Sequence, residues 1–241
     1  MARLAVKGTR RPATTPWACS LLSKPAFAEP VPGQAWDDDD PADRARILSN
    51  VSSLLTGLRA DAPARTVPSV AEVQRWHAAC YEGCKLPVAG YAGHFRGDPA
   101  VPELMSYEVG VGARQSDGWP SKVGVFSPQV HGEVLQLLSQ VGAGIARLDA
   151  ILAPGSRPAE AAQLQAIASL AAVIHGEWIR IHPYANGNGR TARIWAAWVA
   201  LRYGVPISSP SSRGPMTLLT WSPAQARWAG LQTSAVITRS R

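Results

Sequence analysis

The chain has 241 residues, 46% hydrophobic and 17% charged, which suits one domain of good size with a real core. No apolar run approaches the ~18–20 residues needed for a helical membrane span. The formal charge is +7, yet the first 177 residues sum to −1, because from Trp178 onward there are eight arginines and no Lys, Asp or Glu. Residues 1–36 hold five prolines and a basic start with no acid before Glu29, and read as a flexible leader. The acidic run Asp37–Asp40 precedes Pro41 and is placed as the charged start of a helix over about 41–59. Residues 60–68, rich in Ala and Pro, read as a linker.

Ser69 with Glu72 makes a capping box that opens a helix through about Glu82. Glycines and alternation then predict two short strands, Tyr107–Val111 and Lys122–Phe126, around a turn at Gln115–Trp119. Ser127-Pro128 starts a helix with Val134, Leu135, Leu138 and Val141 on its apolar side. After Ala153-Pro154-Gly155 a long helix is expected over about 158–181, with Ile167, Leu170, Ala171, Ile174 and Trp178 inward and His175 packed beside them. Ala192, Trp195, Val199 and Tyr203 recur at helical spacing until Gly204 and Pro206 close the segment. Ser222-Pro223 begins a last helix carrying Trp228, with Trp221 just ahead of it. Cys19, Cys80 and Cys84 form neither a disulfide nor a zinc pattern; two buried thiols on one helix and a cytoplasmic location are expected.

The chemistry concentrates in residues 182–193, His-Pro-Tyr-Ala-Asn-Gly-Asn-Gly-Arg-Thr-Ala-Arg. A glycine-rich turn opens the helix that follows, and the first N–H groups of a helix lack internal partners, so they suit an anion. Arg190 and Arg193, at i and i+3, share one face and offer forked donors to phosphate oxygens. His182 sits just ahead of the turn. Guanidinium charge and the helix N-terminus are expected to push its pKa down, leaving a neutral imidazole able to act as general base. Transfer of a phosphate-bearing group from a nucleotide to a hydroxyl fits these parts. Asn-Gly turns beside a His or Arg are also common surface features, so spacing alone does not decide the matter.

The same twelve residues closely resemble the Fic (Fido) signature His-Pro-Phe-x-(Asp/Glu)-Gly-Asn-Gly-Arg-x-x-Arg, and only Tyr184 and Asn186 depart from it. Weaker similarity runs through Ala92-Gly93-His94-Phe95-Arg96 and Val173-Ile174-His175. The resemblance implies an all-α, Fic-like helical bundle with a small β-hairpin flap. Its organisation would be a leader (1–36), an N-terminal helix and linker (37–68), a catalytic core (69–205) and a basic helical extension (206–241). It implies AMP transfer from ATP to a Ser, Thr or Tyr hydroxyl of a protein, with His182 as base. Gly187, Asn188 and Gly189 would form the anion hole, and Arg190 and Arg193 would hold the distal phosphates. The hairpin, at Val109, Val111, Val123 and Val125, would align the target by strand addition.

Tyr184 for Phe adds only a hydroxyl needing a partner. Asn186 stands where the family's acid helps hold Mg²⁺, and an amide brings no negative charge, so metal affinity is expected to fall. Two outcomes follow: a slower transferase, or a low-activity nucleotide-binding regulatory module. Glu177 is the nearest other carboxylate ahead of the motif in sequence, with a solvated or ion-paired role expected. The arginines from Trp178 onward would raise positive potential around a nucleotide. A basic, non-enzymatic interaction domain is the remaining alternative. Their dispersal among apolar residues argues against nucleic acid, and no membrane partner is expected. The family's inhibitory helix, (Ser/Thr)-x-x-x-Glu-(Gly/Asn), has no counterpart after Glu177. Ser156–Glu160 has the spacing but is followed by Ala161. Restraint is therefore expected from a separate inhibitor chain or from Asn186 itself.

Overall fold

The computed structural model describes residues 30–207 apart from 32, 37, 38, 117–119 and 154. The predicted leader with Cys19, and the last helix with Trp221 and Trp228, lie outside the described residues. Five α-helices and one two-stranded antiparallel sheet make up the described chain, a mainly helical architecture. No described helix is long and apolar enough to cross a membrane.

Asp40 accepts the N–H of Ala42 and caps a single 3-10 turn, Pro41–Asp43, which runs into α1 (Arg44–Asp61). The acidic run therefore does start a helix, but one turn of it is the tighter kind. The expected linker contains another 3-10 turn, Ala62–Ala64. In α2 (Val70–Cys80) Ser69 accepts the N–H of Glu72, the forward half of the box its spacing predicts. Cys80 is buried and Cys84 half-buried, both as free thiols.

A 3-10 turn at Ser127–Gln129 precedes α3 (Val130–Ile151). This helix buries Val130, Val134, Leu137, Val141, Ile145 and Leu148. Leu135, expected inward, is exposed, and Leu138 only partly buried. The stripe begins at Val130, and stepping by three or four residues from there reaches Leu137 and bypasses Leu135. α4 (Ala161–Ile181) turns Ile167, Ala171, Ile174, Trp178 and Ile181 to the core. Leu170 is only partly buried, while His175 is half-exposed rather than packed inside.

α5 (Asn188–Arg202) is enclosed on nearly every side: Thr191, Ala192 and every residue from Ile194 to Arg202 are buried. It packs most closely on α4 and also on α1. Trp195 meets Trp76 edge-on at 5.2 Å and lies 6.0 Å from Trp178. At its far end Asp149 of α3 takes Arg202 at 2.6 Å and the Tyr203 hydroxyl at 3.0 Å. The helix that begins at the signature is thus clamped along its length, which fixes the direction of its first turn.

The hairpin differs in extent from expectation, its strands lying closer to the turn. β1 is Gly110–Arg114 and β2 is Pro120–Val123, paired Gly110 to Val123 and Val111 to Lys122, with a bulge before Arg114. The exposed Val123 ends β2. Val109 and Val125 lie below the strands, partly buried against the core. The ladder stops there because Arg96 takes the carbonyls of Tyr107 and Val125, and the N–H of Val125 donates to Ile181. The hairpin's base is thereby tied to the end of α4, one residue from His182.

Candidate active site

His182 closes α4 in the left-handed region (φ 54°, ψ 58°), a conformation that costs a non-glycine residue roughly 1–2 kcal/mol. Three bonds hold it there. Its own N–H donates to Trp178, and Arg96 donates through Nε to the His182 carbonyl at 2.8 Å. The Arg96 N–H reaches the Pro183 carbonyl at 2.8 Å. A Cβ on Gly124 would come within 2.8 Å of the His182 Cβ, so a glycine lets the hairpin's base close over the histidine.

The imidazole Nδ1 lies 3.3 Å from the Ile179 carbonyl. A carbonyl can only accept, so Nδ1 carries the proton and Nε2 keeps its lone pair. Burial lowers the His182 pKa, the Ile179 bond opposes this, and Arg96 adds to the lowering. The direction matches the sequence expectation. The main cause is desolvation, and the guanidinium concerned is Arg96 rather than the signature arginines.

Between His182 and α5 the turn is pinned from inside. Tyr184 is fully buried, and its hydroxyl donates to the Val73 carbonyl at 3.2 Å, which gives the extra oxygen the partner it needs. The Asn188 amide grips the Tyr184 backbone at both ends, accepting its N–H at 2.9 Å and donating to its carbonyl at 2.8 Å. Gly187, at φ 76°, starts the helix, and its carbonyl receives the N–H groups of Arg190 and Thr191. A Cβ there would strike Tyr81 Oη at 2.6 Å. The Gly187 N–H is closed off by Asn186 Oδ1 at 2.6 Å. Among the described residues, the N–H groups of Asn188 and Gly189 have no acceptor, so the open donors of this helix start lie one residue later than Gly187.

The two arginines are not equivalent. Arg190 pairs with Asp39 at 2.6 Å, bonds the Tyr81 hydroxyl and lies over the Tyr81 ring. Arg193 has a buried Nε without a partner among the described residues. Burial, then Arg190, lowers its pKa. His175 is held below its usual value by burial and then by Arg193. Glu177 pairs with Arg180 at 2.8 Å, in keeping with its expected role.

Asp39 is the residue that sequence reasoning missed at this site. It comes from the segment before α1, and its Oδ1 lies 3.4 Å from Asn186 Nδ2. A buried Trp36 anchors that segment: its N–H donates to the Tyr107 hydroxyl, and its ring meets Tyr81 edge-on at 4.6 Å. The acidic run was legible only as a helix start; nothing local shows which of its carboxylates turns back toward residue 190. His77, Tyr81 and Glu108 were likewise unread, although His77 and the α2 C-cap Tyr81 stand one helical turn apart.

His77 is fully buried, with its pKa lowered to about 3 chiefly by desolvation. The folded state holds it neutral, whereas the unfolded chain takes up a proton as pH falls below about 6.5. Its contribution to stability is therefore complete above pH 6.5 and declines toward pH 3, by up to about 1.4 kcal/mol per pH unit. Chemical denaturation between pH 4 and 8 is expected to show this loss, and His77→Gln should flatten the slope.

The family described as Fic/DOC matches residues 69–200, and the chain belongs to that family. A search of curated proteins finds no match. Among solved structures the chain is similar to a Fic domain containing signaling protein from Bacteroides thetaiotaomicron, with 18% identity and a TM-score of 0.47. That alignment covers 69% of this chain and 52% of the other, so this chain spans about half the length of that relative.

Proposed function

We propose that the protein transfers AMP from ATP to a hydroxyl side chain of a protein target. The observation that carries this reading is a histidine with its bare Nε2 lone pair next to a helix start with two open N–H groups. In the reaction His182 Nε2 takes the proton of the target hydroxyl, and that oxygen attacks the α-phosphorus. The bond from the α-phosphorus to the β-phosphate oxygen breaks, and pyrophosphate leaves. The N–H groups of Asn188 and Gly189 receive phosphate oxygens, and Arg193 supplies the nearest uncommitted positive charge. The edge of the hairpin offers main-chain groups to an extended target segment.

Mg²⁺, which the family implies, does not fit at position 186. The Asn186 amide oxygen is already bonded to Gly187 N–H, and Asp39 is paired with Arg190. Among the described residues there is no group of three His, Cys, Asp or Glu suited to a metal. Any cation would arrive with the nucleotide's own phosphates, so no step is assigned to it.

The second reading is a nucleotide-binding module with little turnover. It is favoured by Asn186 and by Asp39 holding an arginine that phosphate would otherwise engage. Intact-mass spectrometry after incubation with ATP and Mg²⁺ separates the two. An AMP adduct in the wild type supports the transferase. A silent wild type whose Asn186→Asp or Asp39→Asn variant gains the adduct supports the module. A separate inhibitor chain remains our proposal for restraint of an active form.

A further inference from the structure

His77 stands outside the signature, yet its side chain packs directly on the turn. Its ring stacks on Tyr184 with centroids 3.7 Å apart and planes 8° from parallel. Nδ1 accepts the Gly93 N–H at 2.9 Å, so this nitrogen is bare and the proton must sit on Nε2. Nε2 lies 3.0 Å from the Asn186 carbonyl and donates to it. Gly93 itself is at φ 88°, where a Cβ would press on Ala78 and the Gln74 carbonyl, so the donor loop is seated tightly on α2.

The peptide between Asn186 and Gly187 is planar, with its C=O and N–H on opposite edges. His77 holds one edge and Asn186 Oδ1 the other. The next peptide has its carbonyl committed to Arg190 and Thr191 inside the helix, which directs the Asn188 N–H the opposite way, out of the helix start.

We propose that His77 is a positioning residue for the phosphate-facing turn: its Nε2–H, by fixing the Asn186 carbonyl, sets the direction of the Asn188 and Gly189 N–H groups. The consequence for nucleotide binding rests on the transfer reading above; the positioning itself does not. Leaving a buried carbonyl without its donor costs enough to loosen such a turn about tenfold.

Three variants divide the ring's roles. Gln at 77 places an amide N–H where Nε2 stood, Asn places an amide oxygen near Nδ1, and Phe keeps only the stacked ring. Amide hydrogen exchange across residues 186–190 and ATP titration calorimetry are measured on each, beside thermal melting. His77→Gln is expected to keep exchange and ATP affinity within threefold of wild type. His77→Asn and His77→Phe are expected to speed exchange and weaken ATP by about tenfold, whatever their order of melting temperature. Exchange unchanged in all three, or following melting temperature alone, overturns the proposal. Exchange responding as expected in a protein that binds no ATP supports the positioning role and removes the nucleotide reading instead.

Discussion

Replacing His182 by alanine is expected to slow AMP transfer by about 10²–10⁴-fold, the usual contribution of a general base. ATP affinity should change little, because in the proposed reading the groups that receive phosphate are main-chain N–H groups and Arg193. The structure gives the reason for the large effect. His182 Nδ1 is held by the Ile179 carbonyl and its backbone by Arg96 and Trp178, so Nε2 is presented in one tautomer and one direction. Single-turnover rates with saturating ATP test this. A rate within threefold of wild type would mean that another group accepts the proton.

The second large effect belongs to Arg96. Its side chain is buried and spends every N–H direction on a partner. It donates to the carbonyls of His182, Tyr107, Val125 and Ile181 and to Glu108. Burial lowers its pKa to about 10, with Glu108 opposing, so it stays charged at neutral pH. Arg96→Met would strand one Glu108 oxygen and the carbonyls of His182, Tyr107 and Val125, while Ile181 keeps the Val125 N–H and Ser127 still donates to Glu108 through both its N–H and its hydroxyl. Breaking a buried pair from one side costs roughly 3–5 kcal/mol. For a chain of this size that lowers the melting temperature by about 10 °C. Arg96→Lys keeps the charge but not the fork and should recover only part of the loss. Because Arg96 joins the hairpin's base to His182, the surviving fraction of Arg96→Met should also lose activity, an effect that melting alone does not explain.

The helices were legible because each rule acts locally. The apolar spacing on α4, the Ser69 cap and the glycine turn ahead of α5 each depend on neighbours within a turn or two. The signature was legible for the same reason, as twelve consecutive residues. What the sequence could not show are pairings set by packing. The hairpin's extent was misread because Arg96 takes the carbonyls of Tyr107 and Val125 that longer strands would have used. Leu135 was placed inward beside Val134, whereas the buried stripe runs through Val130, Val134, Leu137 and Val141 and passes it by. The cause of the His182 shift was assigned to the signature arginines because the burial around it comes from the hairpin. Arg190 and Arg193 read as a matched pair, yet Asp39, about 150 residues away, binds one and leaves the other.

The central claim is that the start of α5 receives the phosphates of a nucleotide beside a neutral His182. Calorimetric titration of ATP into the protein, with Mg²⁺ and with chelator, tests it most directly. Saturable binding at one site, weakened at least tenfold in Arg193→Gln and nearly unchanged in His182→Ala, is the predicted result. No heat under either condition, from a protein shown to be folded, would contradict it.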